Sequence, residues 1–130
     1  MRDAMQIILS DWIPWEERSR APTLPGIYVI AKDQPDNVIY IGRTWATGGL
    51  RDRLRAFHRS SGSGLKGHAG GVTFQGRYGA FIGELFVRFH VPHAINPAPA
   101  ILRPYLEYAE RQLIWEHVAR YGKLPECNTE

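Results

Sequence analysis

The sequence predicts a small α+β domain in which helices flank a central three-stranded antiparallel or mixed sheet. Two observations carry this prediction. Three β-rich runs are present, the first two close together around a turn-forming segment, and two stretches of helical periodicity follow the second and third runs. The order is therefore strand, strand, helix, strand, helix. At 130 residues the chain suits one domain that buries most of its apolar surface.

The first two runs predict an antiparallel hairpin. Residues 26–31 and 38–42 are rich in β-branched and aromatic side chains, and the segment between them holds the Pro, Asp and Asn of turn chemistry. If Tyr28 pairs directly with Tyr40, the tip is the three residues 33–35 and both phenols emerge on one face of the sheet. A slip of one residue would place them on opposite faces.

The rest of the chain supplies two helices and the third strand. Residues 50–61 place apolar side chains at helical spacing, which predicts a short amphipathic helix. The Gly- and Ser-rich segment 60–71 predicts a mobile surface loop. Residues 84–91 predict a strand, and the longest helix is expected from about 104 to 121, with proline in its first turn and a glycine after its end.

The first part of the chain reads as a lead-in to this domain. Residues 1–24 are irregular or partly helical in pattern, and Trp12, Ile13 and Trp15 are expected to pack onto the domain formed by residues 25–130. No internal repeat or second domain is evident. The sequence therefore predicts a single domain preceded by a packed N-terminal segment.

Cysteine content and hydropathy indicate a soluble, cytoplasmic protein. Cys127 is the only cysteine and cannot form an internal disulfide. The N-terminal apolar run is too short for an export signal, and no apolar stretch reaches the length of a membrane span. We therefore expect no membrane partner.

The charge is concentrated in the middle of the chain. The whole chain carries a net charge of +3, whereas residues 43–88 contain eight basic and two acidic residues, a net charge of +6. Most of the basic residues are arginines, whose planar guanidinium grips phosphate with two parallel hydrogen bonds. This concentration of positive charge predicts a polyanionic partner. The alternative is a basic surface that contacts only solvent.

The two tyrosines belong to a pair of tripeptides that resembles a known signature. Gly-Ile-Tyr at 26–28 and Tyr-Ile-Gly at 40–42, separated by a short turn, resemble the defining motif of the GIY-YIG nuclease superfamily. The resemblance spans roughly residues 24–128. Three further residues match the family pattern in order, an arginine on the next helix, a glutamate on a later helix and an asparagine near the end: Arg53, Glu110 and Asn128.

The resemblance implies a DNA endonuclease that hydrolyses phosphodiester bonds by a one-metal mechanism. Glu110 would hold a single Mg²⁺, for which Mn²⁺ would substitute, and Arg53 would clamp a non-bridging phosphate oxygen. Tyr28 would orient or deprotonate the attacking water, Tyr40 would support that water, and Asn128 would complete the site by hydrogen bonding. The alternative is a catalytically inactive nucleic-acid-binding module of the same fold.

The chemistry of Glu110 and Tyr28 can also be assessed from the residues alone. Glu110 lies beside leucine and isoleucine on its helix, where a lone carboxylate is costly, so it needs either a cation or a nearby arginine as partner. A phenol with an ordinary pKa near 10 is a poor base at neutral pH. The proposed role of Tyr28 therefore requires Arg53 and the cation to favour its phenolate.

Residues around these positions are candidates for DNA contacts. The predicted nucleic-acid-binding set is basic or lies on the Gly-rich segment: Arg43, Arg51, Arg55, Arg59, Lys66 and His68. His58 follows by one residue the family position that often holds a histidine or tyrosine, so proton transfer and a structural role both remain open. DNA is the expected partner, and either a homodimer or a targeting protein would complete the assembly.

Overall fold

A computed structural model describes residues 7–64, 66–78, 84–92 and 98–128. Its elements, in chain order, are β1 (Ile13–Pro14), a 3₁₀ helix (Trp15–Arg20), β2 (Gly26–Lys32), β3 (Val38–Thr44), α1 (Gly49–Ser63), α2 (Ala69–Tyr78), β4 (Leu85–His90) and α3 (Pro99–Tyr121). The α+β class is as predicted.

Over the described residues the sheet has four strands rather than the predicted three. Their order is β1-β4-β2-β3, and all neighbours are antiparallel. The additional strand, β1, has two residues and places Ile13 opposite Val87. A strand this short shows no alternation of apolar and polar residues, which is why the sequence pattern did not reveal it.

Strand β2 is central and buried on both faces, which explains its continuous apolar sequence. Tyr28 and Ile30 face a core cluster built with Leu54 and other residues of α1 and α2. Ile27 and its alternate neighbours face a second cluster with Leu106 and other residues of α3. Each large apolar side chain buried in this way contributes roughly 1.5–3 kcal/mol.

The hairpin register differs from the predicted one by two residues. Tyr28 lies opposite Gly42, so Tyr40 is its diagonal neighbour, and a bulge between Ile30 and Ala31 accommodates the shift. The connection covers residues 33–37 rather than a three-residue tip. A shift of two residues keeps side chains on the same face, and the two phenol rings lie 5.9 Å apart between centroids. The prediction of a shared face is therefore confirmed.

Residues 60–63 and 69–71 are helical, and five described residues of the segment 60–71 are buried, which corrects the predicted mobile loop: Ser60, Ser61, His68, Gly70 and Gly71. Helix α1 continues to Ser63 and ends at Gly64, which adopts the left-handed conformation with φ of 76°. Helix α2 begins only five residues later and was not predicted. A Cβ at Gly71 would lie 2.8 Å from the carbonyl oxygen of Phe57. This glycine therefore serves the close packing of two helices rather than flexibility.

Helix α3 begins before the predicted start and ends where expected. Pro99 lies in its first turn, where a missing N–H costs nothing, whereas Pro104 lies within the helix. Gly122 terminates it with φ of 76°. Strand β4 confirms the strand predicted at 84–91, with one residue fewer at each end.

The lead-in packs on the domain as predicted from residue 7 onward. Trp15 is buried in the cluster beneath α1, and Ile13 and Trp12 are partly buried against the two clusters. Residues 1–6 lie outside the described residues. Within the described part of the chain, no helix has both the length and the apolar content to cross a membrane.

Candidate active site

Four of the predicted catalytic residues line one open pocket of about 370 Å³, together with Arg43 of the predicted DNA-contact set. Tyr28 comes from β2, Tyr40 from β3, Arg53 from α1 and Glu110 from α3. Tyr40 and Glu110 also line a second pocket of about 410 Å³. Elements separated by most of the chain therefore place two phenols, one guanidinium and one carboxylate around a common space.

Glycines make room for the two phenols. A Cβ at Gly42, directly opposite Tyr28 in the sheet, would lie 2.6 Å from the Tyr28 hydroxyl oxygen and 2.7 Å from a ring carbon of Tyr40. A Cβ at Gly70 would lie 2.4 Å from another ring carbon of Tyr40. The last residue of the Tyr-Ile-Gly tripeptide is thus required by the space that both rings occupy.

His68 lies beneath Tyr28 rather than on a mobile loop. Its side chain is buried with 1% exposure, and its Nε2 atom is 2.5 Å from the Tyr28 hydroxyl oxygen. The Nδ1 atom accepts a hydrogen bond of 3.2 Å from the backbone N–H of Gly71. The prediction that His68 reaches DNA from a flexible segment is therefore corrected, because the early start of α2 folds it into the core.

Burial governs the protonation of this group. It raises the pKa of Tyr28 well above 10, and the Tyr40 phenol raises it further, while Arg53 opposes both effects. Burial, followed by the charge of Glu110, also raises the pKa of Tyr40. Burial together with Arg53 lowers the pKa of His68 to about 3. At neutral pH both phenols are protonated and His68 is neutral. Arg53 favours the Tyr28 phenolate as expected but does not outweigh burial.

Arg53 is held at the pocket wall by the segment that precedes α2. One of its terminal nitrogens donates to the carbonyl oxygen of Gly67 at 3.0 Å. This bond ties the guanidinium to the same short segment that positions His68. Helix α1 and the segment before α2 therefore hold Arg53 and His68 together beside Tyr28.

Glu110 has an arginine partner. Its side chain is 11% exposed, and its Oε1 atom accepts a hydrogen bond from a terminal nitrogen of Arg43. Burial raises the pKa of Glu110, whereas Arg43 lowers it. Of the two partners that the sequence left open for this carboxylate, the arginine is the one observed. Arg43 points to Glu110 in this structure, and its expected contact with DNA stays a prediction.

The donor chemistry near Glu110 fits one kind of metal site. Among the described residues there is no group of three or more His, Cys, Asp or Glu side chains that could enclose a metal ion. Mg²⁺ needs less, since it is commonly held by one or two carboxylates, water and substrate phosphate. Glu110 and Glu107 line the same pocket of about 410 Å³ and offer only oxygen donors. These residues fit Mg²⁺ if the Arg43 guanidinium moves away.

One atom indicates that Arg43 is incompletely satisfied where it lies. Its Nε is buried and has no hydrogen-bond partner among the described residues. An unpaired buried donor costs about 1–3 kcal/mol.

Two guanidinium groups lie over the Trp45 ring. The Arg43 group is 5.1 Å from the ring centre, and the Arg103 group is 4.8 Å from it. Trp45 lines the pocket of Tyr28 and was missed by sequence reasoning, although an aromatic residue directly after a strand was a usable signal.

Asn128 and His58 have structural contacts. Both amide atoms of Asn128 bond to the backbone of Ile41 at 2.9 Å, so its hydrogen bonds support the strand beside Tyr40. His58 accepts a hydrogen bond of 3.1 Å from the Trp15 indole, and burial followed by the charge of Arg18 lowers its pKa. Neither residue is among the described residues that line the two pockets. The structural alternative for His58 is the one these contacts favour.

The predicted basic row is exposed on α1. Arg51, Arg55 and Arg59 recur every four residues and are open to solvent, as is Lys66 beyond the helix. Two members of the row have local partners. Arg51 donates to the carbonyl oxygen of Ala21 at 2.9 Å, and Arg55 forms an exposed ion pair of 3.1 Å with an aspartate one turn away. Contact of this row with DNA stays a prediction.

The chain matches none of the protein-family models, curated proteins or solved structures with which it was compared. Its function is therefore inferred from its own residues and their geometry.

Proposed function

We propose that the chain is a divalent-metal-dependent DNA endonuclease with a GIY-YIG type of fold. The observation that supports this best is the convergence of Tyr28, Tyr40, Arg53 and Glu110 on one pocket. These are the groups that phosphodiester hydrolysis needs: hydroxyls to place a water, a guanidinium for a phosphoryl oxygen and a carboxylate for a cation.

The residues of the chain divide the work as follows. Arg53, anchored at Gly67, binds a non-bridging oxygen of the reacting phosphate and stabilises the charge that develops there. Tyr28 and Tyr40, whose rings are 5.9 Å apart between centroids, hold the attacking water. Glu110 would hold a Mg²⁺, with Mn²⁺ as substitute, whose positive charge would stabilise the leaving oxygen.

The raised pKa of Tyr28 limits when it can accept a proton. In the resting protein its phenol is neutral and can only orient the water. It becomes a base when further positive charge near the pocket favours the phenolate. Arg53 is the cation already in place, so its role includes lowering the energy of the Tyr28 phenolate.

Arg43 is proposed to change partners when substrate binds. In the resting protein it pairs with Glu110. If Glu110 held a cation, the Arg43 guanidinium would be released and could bind a DNA phosphate. The DNA contact assigned to Arg43 from the sequence would then belong to the complex and the ion pair to the free protein.

A matched pair of variants tests the enzyme. We expect the purified chain to nick supercoiled plasmid only with Mg²⁺ or Mn²⁺. Glu110→Ala should abolish nicking. DNA binding measured in EDTA should stay near native and not weaken, because the substitution removes a negative charge beside the phosphate path. Glu116→Ala, an exposed glutamate farther along the same helix and outside the described lining of both site pockets, is the control and should reduce nicking by less than tenfold.

A second candidate function is a nucleic-acid-binding module without turnover. It is favoured by the Arg43–Glu110 ion pair, which neutralises the only predicted metal ligand, and by the protonated phenols. The plasmid assay separates the two candidates, because binding without nicking at any divalent cation concentration supports the module. A linear product from the native chain would also indicate a homodimer or a second cutting partner, since one site cuts one strand.

A further inference from the structure

We infer that His68 is a positioning residue for Tyr28. The imidazole of His68 donates its Nε2–H to the phenol oxygen, so the phenol's own proton points away from His68. The catalytic meaning of this inference rests on the proposed function. The direction of the hydrogen bond does not, because it is a property of the folded chain.

The backbone sets the direction of this hydrogen bond. The N–H of Gly71 can only donate, and it points at Nδ1 of His68 at 3.2 Å. Nδ1 must therefore be the acceptor, and a neutral imidazole with an unprotonated Nδ1 carries its single proton on Nε2. Nε2 lies 2.5 Å from the hydroxyl oxygen of Tyr28, so the imidazole donates and the phenol oxygen accepts.

The packing keeps the imidazole in this orientation. The ring lies edge-on to Phe57 and Tyr40, at 5.1 and 5.2 Å between centroids. The backbone N–H of His68 also donates to Ser60 Oγ at 3.1 Å. A ring flip would place a carbon opposite the Gly71 N–H, and a second proton on Nδ1 would face that N–H directly. Both alternatives lose a buried hydrogen bond.

The donor favours one protonation state of Tyr28. The groups that face this phenol are Tyr40 from β3, Arg53 from α1 and His68 from the start of α2, with Glu110 of α3 on the shared pocket. A hydrogen bond donated to the oxygen stabilises the phenolate more than the phenol. His68 therefore acts in the same direction as Arg53, and against burial.

In the reaction His68 keeps its proton throughout. The Tyr28 phenolate takes a proton from water, the water oxygen forms a bond to phosphorus, and the bond from phosphorus to the leaving oxygen breaks with its electron pair going to that oxygen. The negative charge thus passes from the phenolate through the phosphoryl group to the leaving oxygen, which takes a proton from solvent, while the hydrogen bond from Nε2 weakens. The burial that makes His68 hard to protonate keeps it a donor of fixed direction.

The first measurement is the tautomer of His68 in the native chain. Long-range nitrogen NMR distinguishes the two ring nitrogens, and His68→Gln assigns the signal among the five histidines. We expect a neutral imidazole with the proton on Nε2 at neutral and mildly acidic pH. A proton on Nδ1, or an imidazolium, would overturn the inference whether or not the chain cuts DNA.

The second measurement compares two replacements of His68. Glutamine retains an N–H donor at a comparable reach, whereas phenylalanine retains the ring but has no donor. We expect His68→Phe to raise the pKa of Tyr28 and to slow nicking at least tenfold. The pKa is measured from the pH dependence of the NMR signals of the Tyr28 ring carbons. His68→Gln should restore both. His117→Phe, on α3 beside the Lys123 carbonyl, is the control.

The outcomes separate the inference from the proposed function. If the native chain never nicks DNA but the tautomer and Tyr28 titration behave as expected, the endonuclease proposal fails and the hydrogen-bond assignment stands. If folded His68→Phe nicks at the native rate, or its Tyr28 titrates as in the native chain, His68 does not position Tyr28. If His68→Phe does not fold, the tautomer of His68 in the native chain decides whether the inference stands.

Discussion

Among the described residues, two buried tyrosine–histidine pairs lie one on each side of the sheet and differ in the direction of their hydrogen bond. Tyr28 and His68 lie 2.5 Å apart, and Tyr105 and His90 lie 2.6 Å apart, each measured from the hydroxyl oxygen to Nε2. In the second pair Nδ1 of His90 is 3.0 Å from the carbonyl oxygen of Ile8. That oxygen can only accept, so in the neutral imidazole Nδ1 carries the proton and Nε2 accepts from Tyr105.

The comparison shows that a backbone group can decide the chemistry of a side chain that it does not touch. A backbone N–H behind His68 makes the imidazole a donor, and a backbone carbonyl behind His90 makes it an acceptor. The Tyr105 proton is engaged in the fold. The Tyr28 proton is directed elsewhere, beside a pocket that Arg53 also lines. The same two residue types therefore serve packing on one side and, we propose, catalysis on the other.

The largest expected difference between the pairs is in cleavage. Tyr28→Phe keeps the ring but removes the hydroxyl, and it should slow nicking by about 100-fold or more, the scale of general-base catalysis. Tyr105→Phe should nick near the native rate and lose about 1 kcal/mol of unfolding free energy with its buried hydrogen bond. Plasmid assays and urea unfolding measure the two effects. Equal loss of nicking in both variants would remove the distinction.

The next effect concerns the space around Tyr28. Gly42→Ala places a methyl group against Tyr28 and Tyr40 and should cost about 1–3 kcal/mol of unfolding free energy. Gly62→Ala in α1 is the control, because no atom of the described residues would lie within 4 Å of the added carbon. That helical glycine should gain roughly 0.5–1 kcal/mol on substitution. A Gly42→Ala variant as stable as the native chain would show that the rings can move apart.

A smaller effect should appear in the pH dependence of stability. The pKa of His68 is lowered by burial from 6.5 to about 3, so below pH 6.5 the unfolded chain binds a proton that the folded chain does not. The unfolding free energy should therefore fall by up to about 1.4 kcal/mol per pH unit as the pH drops through this window. His68→Gln should remove that slope in urea titrations at several pH values. An unchanged slope would assign it to another group.

The smallest effect is expected on the outer surface of α1. Replacing Arg51, Arg55 and Arg59 by alanine should weaken DNA binding and lower its salt dependence by about one unit of slope per lost phosphate contact. Arg59 should contribute most, because the other two have local partners. Arg120→Ala, near the far end of α3, is the control. Identical salt titrations for the native and triple-variant proteins would exclude the row from the interface.

The sequence predicted which candidate residues lie close together better than it predicted the secondary structure that brings them there. Tyr28 and Tyr40 share a face because a two-residue shift preserves it, even though the register itself depends on the bulge near Ala31 and on Asp33, whose φ is 71°. These local distortions leave no periodic signal. The partner of Glu110 was limited to two chemistries by the cost of a buried carboxylate, but the choice of Arg43 depends on the fold.

The least predictable part was the Gly-rich segment before and within α2. Gly70 and Gly71 suggested flexibility, whereas in the fold they allow close approach of Tyr40 and of α1. His68 was consequently expected at the surface. Composition reports which backbone conformations a residue permits, and long-range contacts decide whether that freedom is used.

Asn128 has a consequence beyond the stability of its own segment. Strand β3 is an outer strand, and its backbone groups at Ile39 and Ile41 bond to Cys127 and Asn128. A strand from another molecule would have to displace these bonds before it could extend the sheet. The C-terminal turn thus covers the edge strand that carries Tyr40 and opposes aggregation through pairing at that edge.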